Sequence, residues 1–179
     1  MRFVLARHSI TQWNLEDRLQ GQTDVPLHPE GVKQAHNLAT ELIGAKITSI
    51  VSSPLLRAKH TAEIVQSYLE VSLRLDTRLR ECSFGSLEGL TVDKIEQIHG
   101  TAIADQIRGQ ISDYDFSPFG GEGHTSVARR HLEVLDEYKN LCPHEIILIV
   151  GHGRGLTTTL HQLGDLQQLI QGKFCFIEY

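Results

Sequence analysis

The sequence has few cysteines, no excess of positive charge and no long apolar run, and each shortage excludes a class of protein. The three cysteines, Cys82, Cys142 and Cys175, are odd in number and lack CxxC spacing, which is typical of reduced thiols rather than a disulfide framework. The net charge of -5 provides no basic stripe for a nucleic-acid backbone. The longest apolar runs, such as residues 146–150, are far too short to span a bilayer. We therefore expect neither a nucleic-acid nor a membrane partner.

The first residues also lack the extended apolar core and cleavage-like segment of a secretory signal, and together with the cysteine usage this predicts a cytoplasmic location. The 179 residues, 40% hydrophobic and 22% charged, suffice for a single domain, 1–179, with a sizeable core. No GxxxxGK[ST] phosphate loop and no HExxH metal motif occurs. We expect no metal and no cofactor.

Apolar runs that alternate with helical periodicities predict an α/β protein. Strands are expected at 3–6, 46–52, 71–75, 145–150 and 174–177, and the continuous apolar run 145–150 is typical of a central parallel strand. Helices are expected at 11–19, at 30–43, from Ser53-Pro54 to Leu69, at 91–108 with a break at Gly100, at 126–141 and at 156–163. The region 91–125, with a long loop at 109–125, is predicted to form a helical lid insertion.

Ionisable side chains follow four of these strands. Arg7 and His8 come after the first strand, and Arg57 lies in the first turn of the helix after the second. Glu81 follows the third strand and His152 the fourth. The carboxyl ends of parallel strands meet at one edge of a sheet, where ligands bind, so we expect these side chains to share one crevice.

Two histidines, two arginines and one carboxylate suit phosphoryl transfer. A neutral His8 can attack phosphorus if a backbone acceptor holds its other ring nitrogen. Arg7, Arg57 and a protonated His152 would neutralise the charge on the phosphoryl oxygens. Glu81 would protonate the leaving group and then activate water. The glycines of 151–155 open a helix whose amino end favours an anion, and Leu156 in the place of the third glycine excludes a dinucleotide fingerprint.

Several ordered motifs resemble the histidine phosphatase superfamily, the phosphoglycerate mutase-like group, over nearly the whole chain. They are Leu5-Ala6-Arg7-His8, Gln12-Trp13-Asn14, residues 20–27, residues 52–58, Glu81 with 84–89, and Gly151-His152-Gly153. The resemblance implies a three-layer α/β/α sandwich with a mostly parallel central sheet and a phosphorylated His8. It implies His152 opposite His8, Arg7 and Arg57 on the phosphate, and Glu81 as proton donor. The positions that it places in the substrate pocket are Arg7, Asn14, Gln20, Gly21, Thr23, Arg57 and Gly153.

Two positions depart from the pattern of that family. Ser9 stands where relatives usually have glycine, so a positive φ there would impose a strain of roughly 1 kcal/mol. Glu122-Gly123 stands where relatives commonly have Glu-Ser. The Arg129-Arg130 pair is predicted to be a solvated helix face, and His124 is placed near the site on the lid. The other histidines are expected to be structural or on the surface: His28, His36, His60, His99, His131, His144 and His161.

The expected function is a phosphomonoesterase of the histidine acid phosphatase type, which hydrolyses a small phosphorylated metabolite through a phosphohistidine. A phosphoglycerate mutase would need extra cations, and the segment 91–123 supplies only Lys94 and Arg108 besides one histidine. A protein-phosphohistidine phosphatase would depend less on an acid such as Glu81. A non-catalytic binding protein is supported by Ser9 alone. The physiological substrate and the oligomeric state stay open, with a homodimer among the alternatives.

Overall fold

The computed structural model describes residues 1–109 and 113–179, which form five strands and seven α-helices. The strands are β1 (Arg2–Arg7), β2 (Ser49–Ser52), β3 (Ser72–Leu75), β4 (Ile146–Gly151) and β5 (Phe174–Glu178). The helices are α1 (Gln12–Leu15), α2 (Pro29–Leu42), α3 (Leu56–Leu69), α4 (Val92–His99), α5 (Thr101–Arg108), α6 (His124–Leu141) and α7 (Gly153–Gln162). Within the described ranges no helix is long and apolar enough to cross a membrane.

The strands form one sheet in the order β3-β2-β4-β1-β5, and only β5 runs antiparallel to its neighbour. This confirms the expected mostly parallel sheet. In the register of β1 and β4, Arg2 lies opposite Ile146 and Arg7 lies opposite Gly151. The residues that follow these two strands, His8 and His152, therefore leave the sheet side by side.

Two cores on opposite faces of the sheet produce the expected three layers. Because side chains alternate along a strand, Phe3 and Leu5 pack on one face and Val4 and Ala6 on the other. The first face is covered by α6 and α7, with side chains such as Val134, Leu135, Leu156 and Leu160. The second face is covered by α2 and α3, with side chains such as Leu38, Leu42, Ala58 and Val65.

The region 91–125 holds α4, α5 and a 3-10 helix at Ser117–Phe119, with the predicted break at Gly100. It packs through a third core that contains Phe84, Ile95, Ile107 and Phe116. Positions 110–112 of the predicted loop 109–125 lie outside the described residues. The lid insertion itself stays a prediction.

The predicted helix at 11–19 is wrong after residue 15. Thr11 is the N-cap of α1. Its side chain accepts from the Asn14 backbone N–H, and the Asn14 side chain accepts from the Thr11 backbone N–H, so a capping box defines the start of this short helix. Asp17 then has a φ of 49°, which ends the helix. Helix α7 begins at Gly153, three residues before the predicted start, so its first turn lies directly behind the carboxyl end of β4.

Candidate active site

His8 lies buried at the carboxyl end of β1, held by contacts to the main chain. Its backbone N–H donates to the Gly151 carbonyl at 3.0 Å, which extends the ladder between β1 and β4. Its ring Nδ1 lies 2.7 Å from the Ser9 carbonyl oxygen, which can only accept. The proton is therefore on Nδ1, and the Nε2 of a neutral His8 carries the lone pair. This is the backbone-held imidazole that the sequence requires of a nucleophile.

The surroundings of His8 favour its neutral form. Burial holds the pKa of His8 well below its ordinary value of 6.5, and the positive charges of Arg57 and Arg7 lower it further. The ring is therefore uncharged at neutral pH.

His152 faces His8 with 5.1 Å between the ring centroids. Burial, followed by the charge of Arg57, also holds the pKa of His152 well below its ordinary value. Without phosphate the site thus favours a neutral His152, and the protonated His152 expected on a bound phosphoryl group stays a prediction. Its Nε2 lies 2.8 Å from the Ser53 hydroxyl, while its Nδ1 is buried without a hydrogen-bond partner among the described residues.

Arg57 lies in the first turn of α3, and its guanidinium forms hydrogen bonds to the loop that follows α1. Its two terminal nitrogens donate to the Thr23 carbonyl at 3.0 Å and to the Gly21 carbonyl at 2.7 Å. Burial lowers its pKa to about 10, so it remains a cation at neutral pH. The Glu88 carboxylate fixes the loop by accepting from the Thr23 hydroxyl at 2.7 Å and from the backbone N–H groups of Gln22 and Thr23.

Arg7 ends β1 and lies flat against the first turn of α7. One terminal nitrogen donates to the Leu169 carbonyl at 3.0 Å. A Cβ atom built on Gly153 would lie 2.7 Å from the Arg7 Cζ atom, so only glycine permits this close approach. The Nε atoms of Arg7 and Arg57 are buried and have no partner among the described residues. Both guanidinium groups therefore retain donors for an anion.

Glu81 reaches the same crevice from an irregular segment after β3. Its Oε1 accepts from the backbone N–H groups of Cys82 at 2.9 Å and Gly155 at 2.8 Å, and its Oε2 accepts from that of Arg154 at 3.1 Å. The amino end of α7 thus holds an anion, as expected, but in this state the anion is the Glu81 carboxylate.

These groups surround a cavity of about 250 Å³. The sequence-predicted residues that line it are Arg7, His8, Asn14, Gln20, Gly21, Arg57, Glu81 and Gly153. His152 lies behind this wall, and Thr23 is turned away because its hydroxyl donates to Glu88. Asn14 also accepts from Thr11 as part of the cap of α1.

Four of the remaining wall residues are charged or polar: Asp17, Arg18, Arg154 and Gln171. The apolar or aromatic ones are Trp13, Leu19, Phe84, Val92 and Ile107. The last two belong to α4 and α5, so the predicted lid region does border the cavity. A small leaving group with an apolar surface would contact these side chains.

Sequence reasoning missed Arg154, which also lines the cavity. Its guanidinium lies 5.5 Å from the ring centre of Phe84 and 5.3 Å from that of Phe116. It donates to the carbonyls of Gln106 at 3.0 Å and Gly109 at 3.2 Å, at the end of α5. An arginine directly after Gly-His-Gly at a helix start was the available signal.

The expectation of a solvated Arg129-Arg130 face is wrong for Arg130. Arg129 is exposed, but Arg130 is turned inward and its side chain is only 15% exposed. Its guanidinium bonds to Glu122 and to main-chain carbonyls near Glu81. Two adjacent arginines on a helix point in different directions, and the sequence contains no sign of which one is buried.

Ser9 imposes no strain of the kind considered above, because its φ is not positive. Its backbone N–H donates to the Thr61 hydroxyl at 3.2 Å, and its own hydroxyl is buried. Among the described residues no group of three or more His, Cys, Asp or Glu side chains is arranged to hold a metal ion.

Comparison with known proteins relates this geometry to a family. A sequence model of the histidine phosphatase superfamily (branch 1) matches residues 3–173. A probable phosphoglycerate mutase, GpmB, of Escherichia coli O1:K1 / APEC is 33% identical over 156 residues, which are 87% of this chain and 71% of that protein.

Solved structures give the same relationship. A mycobacterial glucosyl-3-phosphoglycerate phosphatase superimposes with a TM-score of 0.87 at 27% identity, over 99% of this chain and 89% of that one. A putative alpha-ribazole-5'-P phosphatase of Escherichia coli K-12 superimposes with a TM-score of 0.80 at 26% identity, over 98% and 89% of the two chains.

Proposed function

Because this chain belongs to the histidine phosphatase superfamily (branch 1), whose members are phosphatases or mutases, we propose that it hydrolyses a small phosphomonoester through a phosphohistidine on His8. The observation that carries the proposal is the bond from His8 Nδ1–H to the Ser9 carbonyl. It leaves the Nε2 lone pair on a neutral ring next to two arginines. An uncharged nucleophile beside fixed cations is what transfer of an anionic phosphoryl group requires.

In the first step Nε2 attacks phosphorus and the bond to the leaving oxygen breaks. Arg7 and Arg57 hold the phosphoryl oxygens through their remaining donors. We assign a further donor to His152: if the Ser53 hydroxyl donates to its Nε2, the proton of the neutral ring is on the unpartnered Nδ1. A phosphoryl oxygen would accept from that Nδ1–H.

The negative charge of a bound phosphate favours the protonated form of Glu81, which completes the first step by giving that proton to the leaving oxygen, so that an alcohol departs. Its Oε1 already accepts two hydrogen bonds, whereas Oε2 accepts one from Arg154. We therefore assign the acidic proton to Oε2. In the second step the Glu81 carboxylate takes a proton from water, the resulting oxygen attacks phosphorus, and the bond to His8 breaks.

A small metabolite is the substrate class that the cavity favours. Its volume of about 250 Å³ lies just below the range of drug-sized ligand pockets, about 300–1,000 Å³. Both phosphatases that superimpose on the chain act, by their names, on phosphorylated small molecules. A protein substrate would have to present its phosphohistidine within this volume.

The test is release of phosphate from a panel of sugar phosphates, phosphoglycerates, nucleotides and p-nitrophenyl phosphate, with a chelator present. We expect the parent enzyme to turn over and His8→Ala to lose at least about 10⁴-fold in kcat, as nucleophile removal does elsewhere. His60→Ala, on α3, is the matched control. Activity that survives in His8→Ala would contradict the proposal.

A mutase is the second candidate, because the curated relative is named a probable phosphoglycerate mutase. Of the two cations counted in 91–123, Arg108 is bonded to Glu96 at 2.5 Å and Lys94 is exposed on α4. However, Arg18 and Arg154 add cations to the cavity wall. Interconversion of 3- and 2-phosphoglycerate faster than phosphate release would favour the mutase.

A further inference from the structure

The segment that carries Glu81 has no sheet partner. Residues 80–84 follow a 3-10 helix at Thr77–Leu79 and adopt no regular structure. A backbone of this kind does not fix the position of a side chain by itself. The position of Glu81 must therefore depend on groups outside the segment.

The Glu81 carboxylate is bonded to the backbone N–H groups of Arg154 and Gly155, while Arg130 of α6 bonds to the main chain around it. Its Nη1 donates to the carbonyls of Arg78, at 2.6 Å, and Arg80, and its Nη2 donates to the Glu81 carbonyl at 2.9 Å. The same guanidinium bonds to both Glu122 oxygens, at 3.2 and 3.1 Å. One planar cation thus links to α6 two carbonyls of the segment and one, that of Arg78, just before it.

Glu122 completes the arrangement from the other side. Its Oε2 accepts from the Ser83 backbone N–H at 2.9 Å and from the Gln22 amide at 3.2 Å. The Gln22 amide also donates to the Glu81 carbonyl at 3.1 Å. The main chain is therefore held on both sides of Glu81 by a partly buried ion pair, since the side chains of Arg130 and Glu122 are 15% and 23% exposed.

We propose that Arg130 and Glu122 are positioning residues that hold the Glu81 carboxyl at the leaving oxygen. The inference rests on the proposed function, because it takes Glu81 as the acid. Neither residue lines the cavity, and their polar groups bond to each other and to the main chain near Glu81. Their effect is exerted through the carbonyls of Arg80 and Glu81 and the N–H of Ser83.

The leaving group distinguishes this role from a general structural one. An alkoxide needs a proton as it departs, whereas the anion of an acidic phenol departs without one. A displaced Glu81 therefore slows release of an alcohol and spares release of a phenol. Damage to the whole site would slow both.

The experiment compares kcat/KM for glycerol 3-phosphate and for p-nitrophenyl phosphate, since this constant reports steps up to leaving-group departure. We expect Arg130→Met to lower the value for the alkyl ester about 10²-fold, because a misplacement of about 1 Å has this cost. The value for the aryl ester should stay within about threefold of the parent, because that ester needs no acid. Arg129→Met, one residue away and exposed, is the matched control and should change neither.

Glu81→Gln separates the failure of this inference from failure of the proposed function. It should show the same preference for the aryl ester, with a loss of about 10²–10⁴-fold on the alkyl ester. If Glu81→Gln shows no such preference, Glu81 is not the acid of the proposed function. If Glu81→Gln shows the preference but Arg130→Met slows both esters equally, or slows neither, Arg130 does not position Glu81.

Two further variants keep the test decisive if Arg130→Met does not fold. Glu122→Gln keeps the size of the side chain, and Arg130→Lys keeps the charge but cannot reach three carbonyls and a carboxylate together. Each should show the same preference at a smaller amplitude, of about 10-fold. In the Glu81→Gln background the change at Arg130 should cost the alkyl ester nothing more, and a further large loss would overturn the proposal.

Discussion

The phosphate-binding half of the site and the Glu81 half are held in different ways. His8 and His152 come directly after β1 and β4, where main-chain bonds continue the sheet, and Arg57 lies in the first turn of α3, the helix that follows β2. One such bond joins the His8 N–H to the Gly151 carbonyl at 3.0 Å, and another joins the Ser53 N–H to the Val150 carbonyl at 3.0 Å. The Glu81 carboxylate also accepts from backbone N–H groups, but the main chain that carries it depends on side chains of α6 and of two loops.

The difference shows where each half is vulnerable. Main-chain bonds do not change when a side chain is replaced, so substitutions far from the cavity should leave the phosphate-binding half intact. Bonds from individual side chains are lost one by one. Distant substitutions should therefore affect protonation of the leaving group more strongly than they affect phosphate binding.

The largest expected effect tests the phosphate-binding half directly. Arg57→Lys keeps a positive charge but cannot bond to the Gly21 and Thr23 carbonyls and to phosphate at once, so we expect a loss of about 10³-fold in kcat. Both alkyl and aryl esters should suffer equally, because both need the cation. Arg74→Lys, exposed on β3, is the control. A loss confined to alkyl esters would break the distinction between the halves.

A smaller effect is expected at Gly153. The methyl group of Gly153→Ala would press on the Arg7 guanidinium, which must then shift, and we expect kcat/KM to fall about 10²-fold for both kinds of ester. In an Arg7→Met background the same substitution should cost little. Equal losses in both backgrounds would show that the methyl group acts elsewhere, for example on α7.

The smallest effect concerns stability behind the Glu81 half. Burial lowers the pKa of His131 to about 3, so the folded protein binds fewer protons than the unfolded chain between about pH 3 and 6.5. The stabilisation of the folded protein by a neutral His131 is therefore complete above pH 6.5 and is lost as the pH falls toward 3. His131→Asn should reduce the slope of unfolding free energy against pH, by at most about 1.4 kcal/mol per pH unit.

Denaturant titrations at several pH values between 4 and 7 measure this slope. His144→Asn, at an exposed position, is the matched control and should leave the slope unchanged. A slope that His131→Asn leaves unchanged would mean that the ring already binds its proton in the folded state.

The parts of the fold predicted from the sequence are those with strong local patterns. The run 145–150 identified β4, and the periodicity of α2 and α3 identified their buried faces. Strand ends placed His8 and Arg57 in one crevice without any knowledge of side-chain packing. The short helix α1 failed because a cap between Thr11 and Asn14 competes with helical periodicity.

The contacts of Arg130, Arg154 and Glu88 could not be predicted, because they join segments that are distant in sequence. A charged residue on a helix or a loop is usually solvated, and the sequence contains no sign that a carbonyl cluster lies opposite. The neutral state of His152 in the site without phosphate could not be predicted for a related reason. Its neutral form follows from complete burial beside Arg57, which is known only after folding.

The position of β1 in the sheet has a consequence for the order of folding. Strand β1 is inserted between β4 and β5, which begin at residues 146 and 174, so its hydrogen-bonding partners are synthesised long after it. Contacts of such long sequence separation form late and slowly, because a large loop must be closed first. His8 therefore gains its neighbours from β4 only after residue 151 has been made. A chain that ends before β4 lacks both His152 and the Gly151 carbonyl that bonds to the His8 N–H, so the two histidines can meet only late in synthesis.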